Sequence, residues 1–126
     1  MGNPWNRWQG TLRCGWLDLP LVRYAAVVAG PLDGIVVNHL DQVREPDGKV
    51  CETYRDVTLT PSPVPQLSWQ ERLTQELRRA DPVLSPTTPD HIVHLLSELA
   101  PVVLTGAGPT HEQRELAGLT FRKRGA

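Results

Sequence analysis

The chain has 126 residues, 40% of them apolar, with 12 prolines, two cysteines and a formal net charge of −1. One domain with a usable core fits that length, because a chain of this size buries roughly two thirds of its unfolded surface. The near-neutral balance gives no basis for a nucleic-acid or anionic-membrane partner, and no apolar run approaches the ~20 residues of a membrane helix. Cys14 and Cys51 are far apart and lack CxxC spacing, so they suggest neither a disulfide scaffold nor a zinc site.

Residues 1–12 (MGNPWNRWQGTL) are polar, carry Trp5 and Trp8, and show no periodicity. They contain no apolar signal core, and Asn6 in place of Ser or Thr argues against myristoylation of Gly2. The natural setting for such a chain is a reducing cytoplasm.

Asp18 is placed to cap a helix, with Pro20 tolerated in its first turn. Leu21, Val22, Ala25, Ala26, Val28 and Ala29 give an apolar face, with Arg23 and Tyr24 at its edge, and Gly30-Pro31 end it. Trp16 reads as a buried aromatic. Pro31-Leu32-Asp33-Gly34 forms a turn into the short apolar run Ile35-Val36-Val37, which reads as a strand covered on both faces. Asn38-His39-Leu40-Asp41 follows as a polar loop at that strand's carboxyl end, where open α/β sheets bind ligands.

From Gln42 to Gly48 the chain turns polar around a Pro-Asp-Gly turn. Lys49–Tyr54 and 56–60 read as short strands, and the three prolines of 61–65 as an extended loop. Ser68-Trp69-Gln70-Glu71 fits a capping box that opens a helix with Leu73, Leu77 and Val83 on its face, ended by Asp81-Pro82. Residues 85–88 read as a turn, and Asp90 as the cap of a helix burying Ile92, Val93, Leu95, Leu96 and Leu99. Pro101-Val102-Val103-Leu104 is a second buried strand. It runs into Thr105-Gly106-Ala107-Gly108-Pro109, whose glycines let backbone N–H groups approach a ligand closely. A last short helix is expected from Thr110 to Gly118, then a strand over Leu119-Thr120-Phe121.

Few side chains suggest chemistry. The two oxygens of Asp41 match a pair of adjacent donors on a ligand, although a loop Asp that caps a turn fits equally. His91 and His94 lie three apart on one helix, without an acidic or cysteine partner nearby in sequence, so no metal site is expected. Gly106–Pro109 alone is also an ordinary tight turn. Arg13 alone is a surface ion-pair residue.

Taken together, these blocks resemble adenylosuccinate synthetase. Arg13-Cys14-Gly15-Trp16-Leu17-Asp18 is similar to that family's R-x-G-W-x-D. Val22-Arg23-Tyr24-Ala25, then Gly34 and the strand ending in Leu40-Asp41, is similar to its helix and strand ending in T-K-L-D. Val50-Cys51-Glu52-Thr53-Tyr54 resembles the following strand, and Gly106-Ala107-Gly108-Pro109 the family's S-T-G-P. Order and spacing agree over most of this chain, and the matching part of the family is its carboxyl-terminal portion.

The resemblance implies an α/β fold: a small mixed sheet with three to four helices, part of a P-loop-like, GTPase-related domain, here one domain over 1–126. It implies that Asp41 recognises the guanine of GTP, that His39 packs on the purine where the family has Lys, and that Gly106 and Gly108 offer backbone contacts to the purine edge. It places Arg13 against substrate, and it implies GTP and Mg2+ as cofactors. The implied reaction is GTP-dependent ligation of IMP and aspartate in purine nucleotide biosynthesis.

The sequence also departs from the family. Gly10 and Leu12 stand about where substrate arginines are expected, and His111 where Arg is frequent. Neither the catalytic Gly-rich loop G-D-E-G-K-G-K nor a G-x-x-x-x-G-K-[ST] loop is present. No catalytic residue is therefore assigned within this chain. Activity calls for a second chain carrying the amino-terminal half, with a homo-oligomer as a further possibility. The alternative is a non-catalytic purine-nucleotide-binding or protein-interaction module.

Overall fold

The computed structural model describes residues 5–8, 10–11, 14–43, 46–62, 64 and 66–116. Arg13, Gly118 and Leu119-Thr120-Phe121 lie outside the described residues. The chain runs through β1 (Leu17–Asp18), α1 (Leu19–Ala29), β2 (Ile35–Val37), a 3-10 turn (Leu40–Gln42) and β3 (Lys49–Tyr54). It continues through α2 (Leu67–Leu77), β4 (Pro82–Pro86), α3 (Pro89–Ser97), β5 (Val102–Gly106), a second 3-10 turn (His111–Gln113) and β6 (Arg114–Leu116).

The class is α/β, as the sequence implies, but the strands form two small mixed sheets among the described residues. In one, β1 runs parallel to β3 and β3 antiparallel to β4; in the other, β2 runs parallel to β5 and β5 antiparallel to β6. A single core joins them. Val37 of β2, Val50 of β3 and Leu19 of α1 pack with Ile92, Leu95 and Leu96 of α3. Leu19 and Val50 are fully buried, each worth about 1.5–3 kcal/mol of transfer free energy.

α1 starts and stops as its sequence dictates. Asp18 Oδ1 accepts from the Leu21 N–H at 3.2 Å, and Gly30 ends the helix at φ 85°, where a side chain would be strained. Its expected apolar face is only partly used. Val22 and Ala26 are half-buried, while Val28 remains 62% exposed. Trp16, expected inside, is 42% exposed. α2 begins two residues earlier than a Ser68 cap implies, at Leu67, with Gln66 as a cap that makes no side-chain bond, so the Ser68 capping box does not form. α3 is capped by Thr88, whose hydroxyl accepts from the His91 N–H at 3.2 Å; Asp90 sits in its first turn.

Three expectations fail for tertiary reasons. Residues 82–86, read as a helix end and turn, form strand β4. Prolines at both of its ends lack N–H groups, which an edge strand tolerates. The helix expected from Thr110 closes after one 3-10 turn, and Arg114–Leu116 instead pair with β5. The open edge of β5 supplies hydrogen bonds that local propensity cannot. Residues 56–60 form no strand, since β3 is flanked by β1 and β4. β2 is also not covered on both faces: Val37 is buried, but Val36 is 51% exposed.

Candidate functional site

Two parallel strands end side by side. Val37 pairs with Thr105, so the loops after β2 and β5 leave the same edge of the second sheet. Gly34 sets how closely the strands lie at their other end. A Cβ there would collide with the Val103 side chain and lie 3.3 Å from the Pro101 carbonyl oxygen. At the carboxyl ends, Asn38 packs on Gly106, where a Cβ would sit 2.9 Å from Asn38 Oδ1. This is the edge at which open α/β sheets bind ligands.

The β2 loop turns sharply at His39, whose φ of 64° and ψ of 28° are left-handed. Non-glycine residues seldom adopt this region, His, Asn and Asp more readily than most. The turn delivers Asp41 in the 3-10 segment, where its Oδ2 accepts from the Gln42 side-chain amide. On the β5 side, Ala107 N–H donates to the Gln113 carbonyl at 2.9 Å. The Gln113 side chain accepts from Thr110 N–H at 3.2 Å and folds over Gly108, leaving no room there for a Cβ. The close approach that glycine permits in this turn is thus used by the protein's own Asn38 and Gln113.

Asp41 and the β5 turn share one open cleft of about 790 Å3, with Asp41, Thr105, Ala107 and Gln113 among its lining residues. Asp90, Glu112 and Glu115 also line it, and no Lys or Arg does among the described residues. Sequence reading missed these carboxylates because it placed Glu112 and Glu115 on a helix. His39 faces elsewhere. It lines a second cleft of about 590 Å3 with Cys14, Trp16, Gln42 and Lys49, floored by Val37, Ile92 and Leu96. Leu40 and Val43 line both clefts and form the wall between them. Of the residues singled out from sequence, Asp41 shares its cleft with Thr105 and Ala107 but not with Gly106 or Gly108, which do not line it, and His39 lines the other cleft.

A polar junction lies on the first sheet. The Tyr54 hydroxyl donates to Asp18 Oδ2 at 2.6 Å, so one carboxylate both caps α1 and anchors β3. Burial first, then the hydrogen bond to Asp18 and the charge of Asp18, push the Tyr54 phenol well above its usual range. Burial also pushes the Cys51 thiol up, with Asp18 adding to the effect. Cys14 is free and exposed, Cys51 free and buried. Among the described residues no cluster of His, Cys, Asp or Glu is arranged to hold a metal, and no helix is long and apolar enough to cross a membrane.

Fold and site together define an α/β unit of the open-sheet type, with an open cleft at the carboxyl ends of adjacent parallel strands. No family model matches the chain. The adenylosuccinate synthetase of Deinococcus deserti is 34% identical over 115 residues, covering 87% of this chain and 27% of that relative. The adenylosuccinate synthetase of Acetivibrio thermocellus is 31% identical over 116 residues, covering 80% and 27%. A shorter stretch of 43 residues is 56% identical to the adenylosuccinate synthetase of Sorangium cellulosum. The chain belongs to the adenylosuccinate synthetase family and fits a carboxyl-terminal portion of it. It spans about a quarter of the length of the curated relatives it matches.

Proposed function

We propose that this chain forms the base-recognition part of an adenylosuccinate synthetase-like ligase, which joins IMP to aspartate at the expense of GTP in purine nucleotide biosynthesis. The carrying observation is the shared cleft: Asp41, Thr105 and Ala107 line it together at the carboxyl edge of paired parallel strands. A carboxylate suits the N1–H and N2–H donors of guanine, and such charge-assisted pairs are strong and directional; base binding at Asp41 would displace the Gln42 amide from Oδ2 and uncover the buried Oδ1. Of the turn after β5, Thr105 and Ala107 line the cleft; for Gly106 and Gly108 to contact the base, the Asn38 and Gln113 side chains that cover them would have to move aside.

The base end of GTP fits this cleft, and its phosphate end does not. Four carboxylates and no cation among the described lining residues repel a triphosphate. The described residues also offer no cluster for Mg2+. Phosphoryl transfer depends on Lys, Arg and metal charge around the moving group. We therefore assign the Gly-rich loop, the magnesium site and the phosphate contacts to polypeptide outside these 126 residues, and Arg13 to substrate binding. A covering partner is consistent with the second sheet. Val36, Leu104 and Leu116 pair in register across its outward face, and Val36 and Leu116 are exposed. Two free cysteines suit a reducing cytoplasm.

Calorimetry on the full chain tests the base site. GTP should bind and ATP should not, and Asp41→Asn should weaken GTP by about 10- to 100-fold, the usual loss for a hydrogen bond to a charged group. Equal binding of GTP and ATP, or an Asp41→Asn variant that binds GTP unchanged, refutes the reading. The four carboxylates among the cleft's described lining residues, with no described cation beside them, favour one second reading, a purine-binding or protein-interaction module without catalysis. That reading is selected if GTP binds but no ligation appears when a family amino-terminal half is supplied.

A further inference from the structure

We propose that His39 acts through its backbone, as the positioning residue that aims Asp41 into the base cleft, rather than as a surface on which the base stacks; the inference rests on the base-site reading above. Two observations carry it. His39 lines the cleft of Cys14, Trp16 and Lys49, while Asp41 lines the cleft of Thr105 and Ala107, with Leu40 and Val43 between them. A base gripped by Asp41 is therefore on the far side of that wall from the imidazole. Second, His39 is the one described non-glycine residue with a left-handed backbone, and it stands at the junction of β2 and the 3-10 turn that carries Asp41.

The geometry explains what the left-handed residue does. A strand sends successive side chains to opposite faces. Val37 points into the core and Val36 outward. One left-handed residue breaks that alternation and folds the next three residues into a tight turn, which His39 closes by accepting the Gln42 N–H at 3.0 Å. Asp41 then sits at the middle of the turn, opposite the end of β5. If residue 39 leaves the left-handed region, the turn unwinds and Asp41 no longer faces Thr105. Glycine and Asn adopt this conformation readily, whereas a β-branched side chain is a genuine outlier there.

The test compares His39→Gly, His39→Asn and His39→Val for binding of GTP and of ITP, which lacks the 2-amino donor. His39→Gly and His39→Asn should keep the wild-type preference for GTP although both delete the imidazole. His39→Val should bind GTP roughly 5- to 30-fold more weakly, the equilibrium equivalent of the left-handed penalty, and should lose its discrimination against ITP. The inference is overturned if His39→Gly loses GTP as severely as His39→Val, or if His39→Val discriminates normally. Amide NMR shifts of Leu40–Val43 separate the two readings. If the wild type binds no guanine nucleotide, the base reading fails. The positioning role then stands when these shifts move in His39→Val alone, and falls when they move equally in His39→Gly.

Discussion

Gly34 is the tightest point between the two strands that carry the site, and replacing it with Ala tests that packing. Gly34 has no left-handed backbone, so Ala is free to adopt its conformation. The added methyl would overlap Cγ1 of Val103, lie 3.4 Å from its Cβ and approach the Pro101 carbonyl to 3.3 Å. Neither neighbour yields easily: Val103 is β-branched and held in β5, and the Pro101 carbonyl already accepts the Ile35 N–H at 2.8 Å. Overpacking of this kind costs about 1–3 kcal/mol. The lost flexibility of the unfolded chain returns about 0.4–1 kcal/mol. The net expectation is a destabilisation of about 1–2 kcal/mol, or roughly 4–8 °C in Tm for a domain of this size.

Urea and thermal unfolding measure this, and a double-mutant cycle with Val103→Ala isolates it. Removing Cγ1 clears the overlap, so the double variant should recover about 1 kcal/mol relative to the sum of the single changes. Gly106→Ala is the control. Its one tight contact is with the movable end of the Asn38 side chain at 2.9 Å, the Asn38 Cα lying at an ordinary 3.7 Å, so its effect should stay within about 0.5 kcal/mol. Additive single changes, or a Gly34→Ala protein more stable than wild type, would show that β2 and β5 do not pack as described.

Two further predictions concern the frame around the site. Thr88→Ala should destabilise the protein by about 1 kcal/mol through loss of the α3 cap, and Asp90→Asn by only a few tenths through the helix dipole; the reverse order in urea unfolding contradicts the assigned cap. The raised Tyr54 phenol makes stability pH-dependent on the alkaline side. The unfolded tyrosine ionises first, near its ordinary value of about 10, while the folded one stays protonated. The contribution of Tyr54 is therefore complete below that pH and is lost as pH rises towards the folded value. Wild type should lose stability above about pH 10 more steeply than Tyr54→Phe, and parallel curves would argue against the burial of the Tyr54 hydroxyl and its bond to Asp18.

Local chemistry in the sequence accounts for much of the frame. Asp18, Pro20 and Gly30 specify where α1 starts and stops, because caps and helix breakers act within one turn of chain. The runs Ile35–Val37, Lys49–Tyr54 and Pro101–Leu104 announce strands, the last observed as Val102–Gly106, and the ordered blocks around them disclose the family. The loop that carries the candidate Asp41 is also legible, since it follows such a strand, whereas Thr105 and Gly106, expected in the turn, belong to β5 itself.

What the sequence left undecided is settled by partners distant in the chain. Pro82–Pro86 is a strand only because β3 offers it an edge, and Arg114–Leu116 only because β5 does. Nor does any local rule place His39 in a left-handed turn or send it into a different cleft from Asp41. Hydrogen bonding between strands and the sharing of space between side chains are non-local. The position of a capping residue is written in its neighbours, whereas the company a side chain keeps is decided by the whole fold.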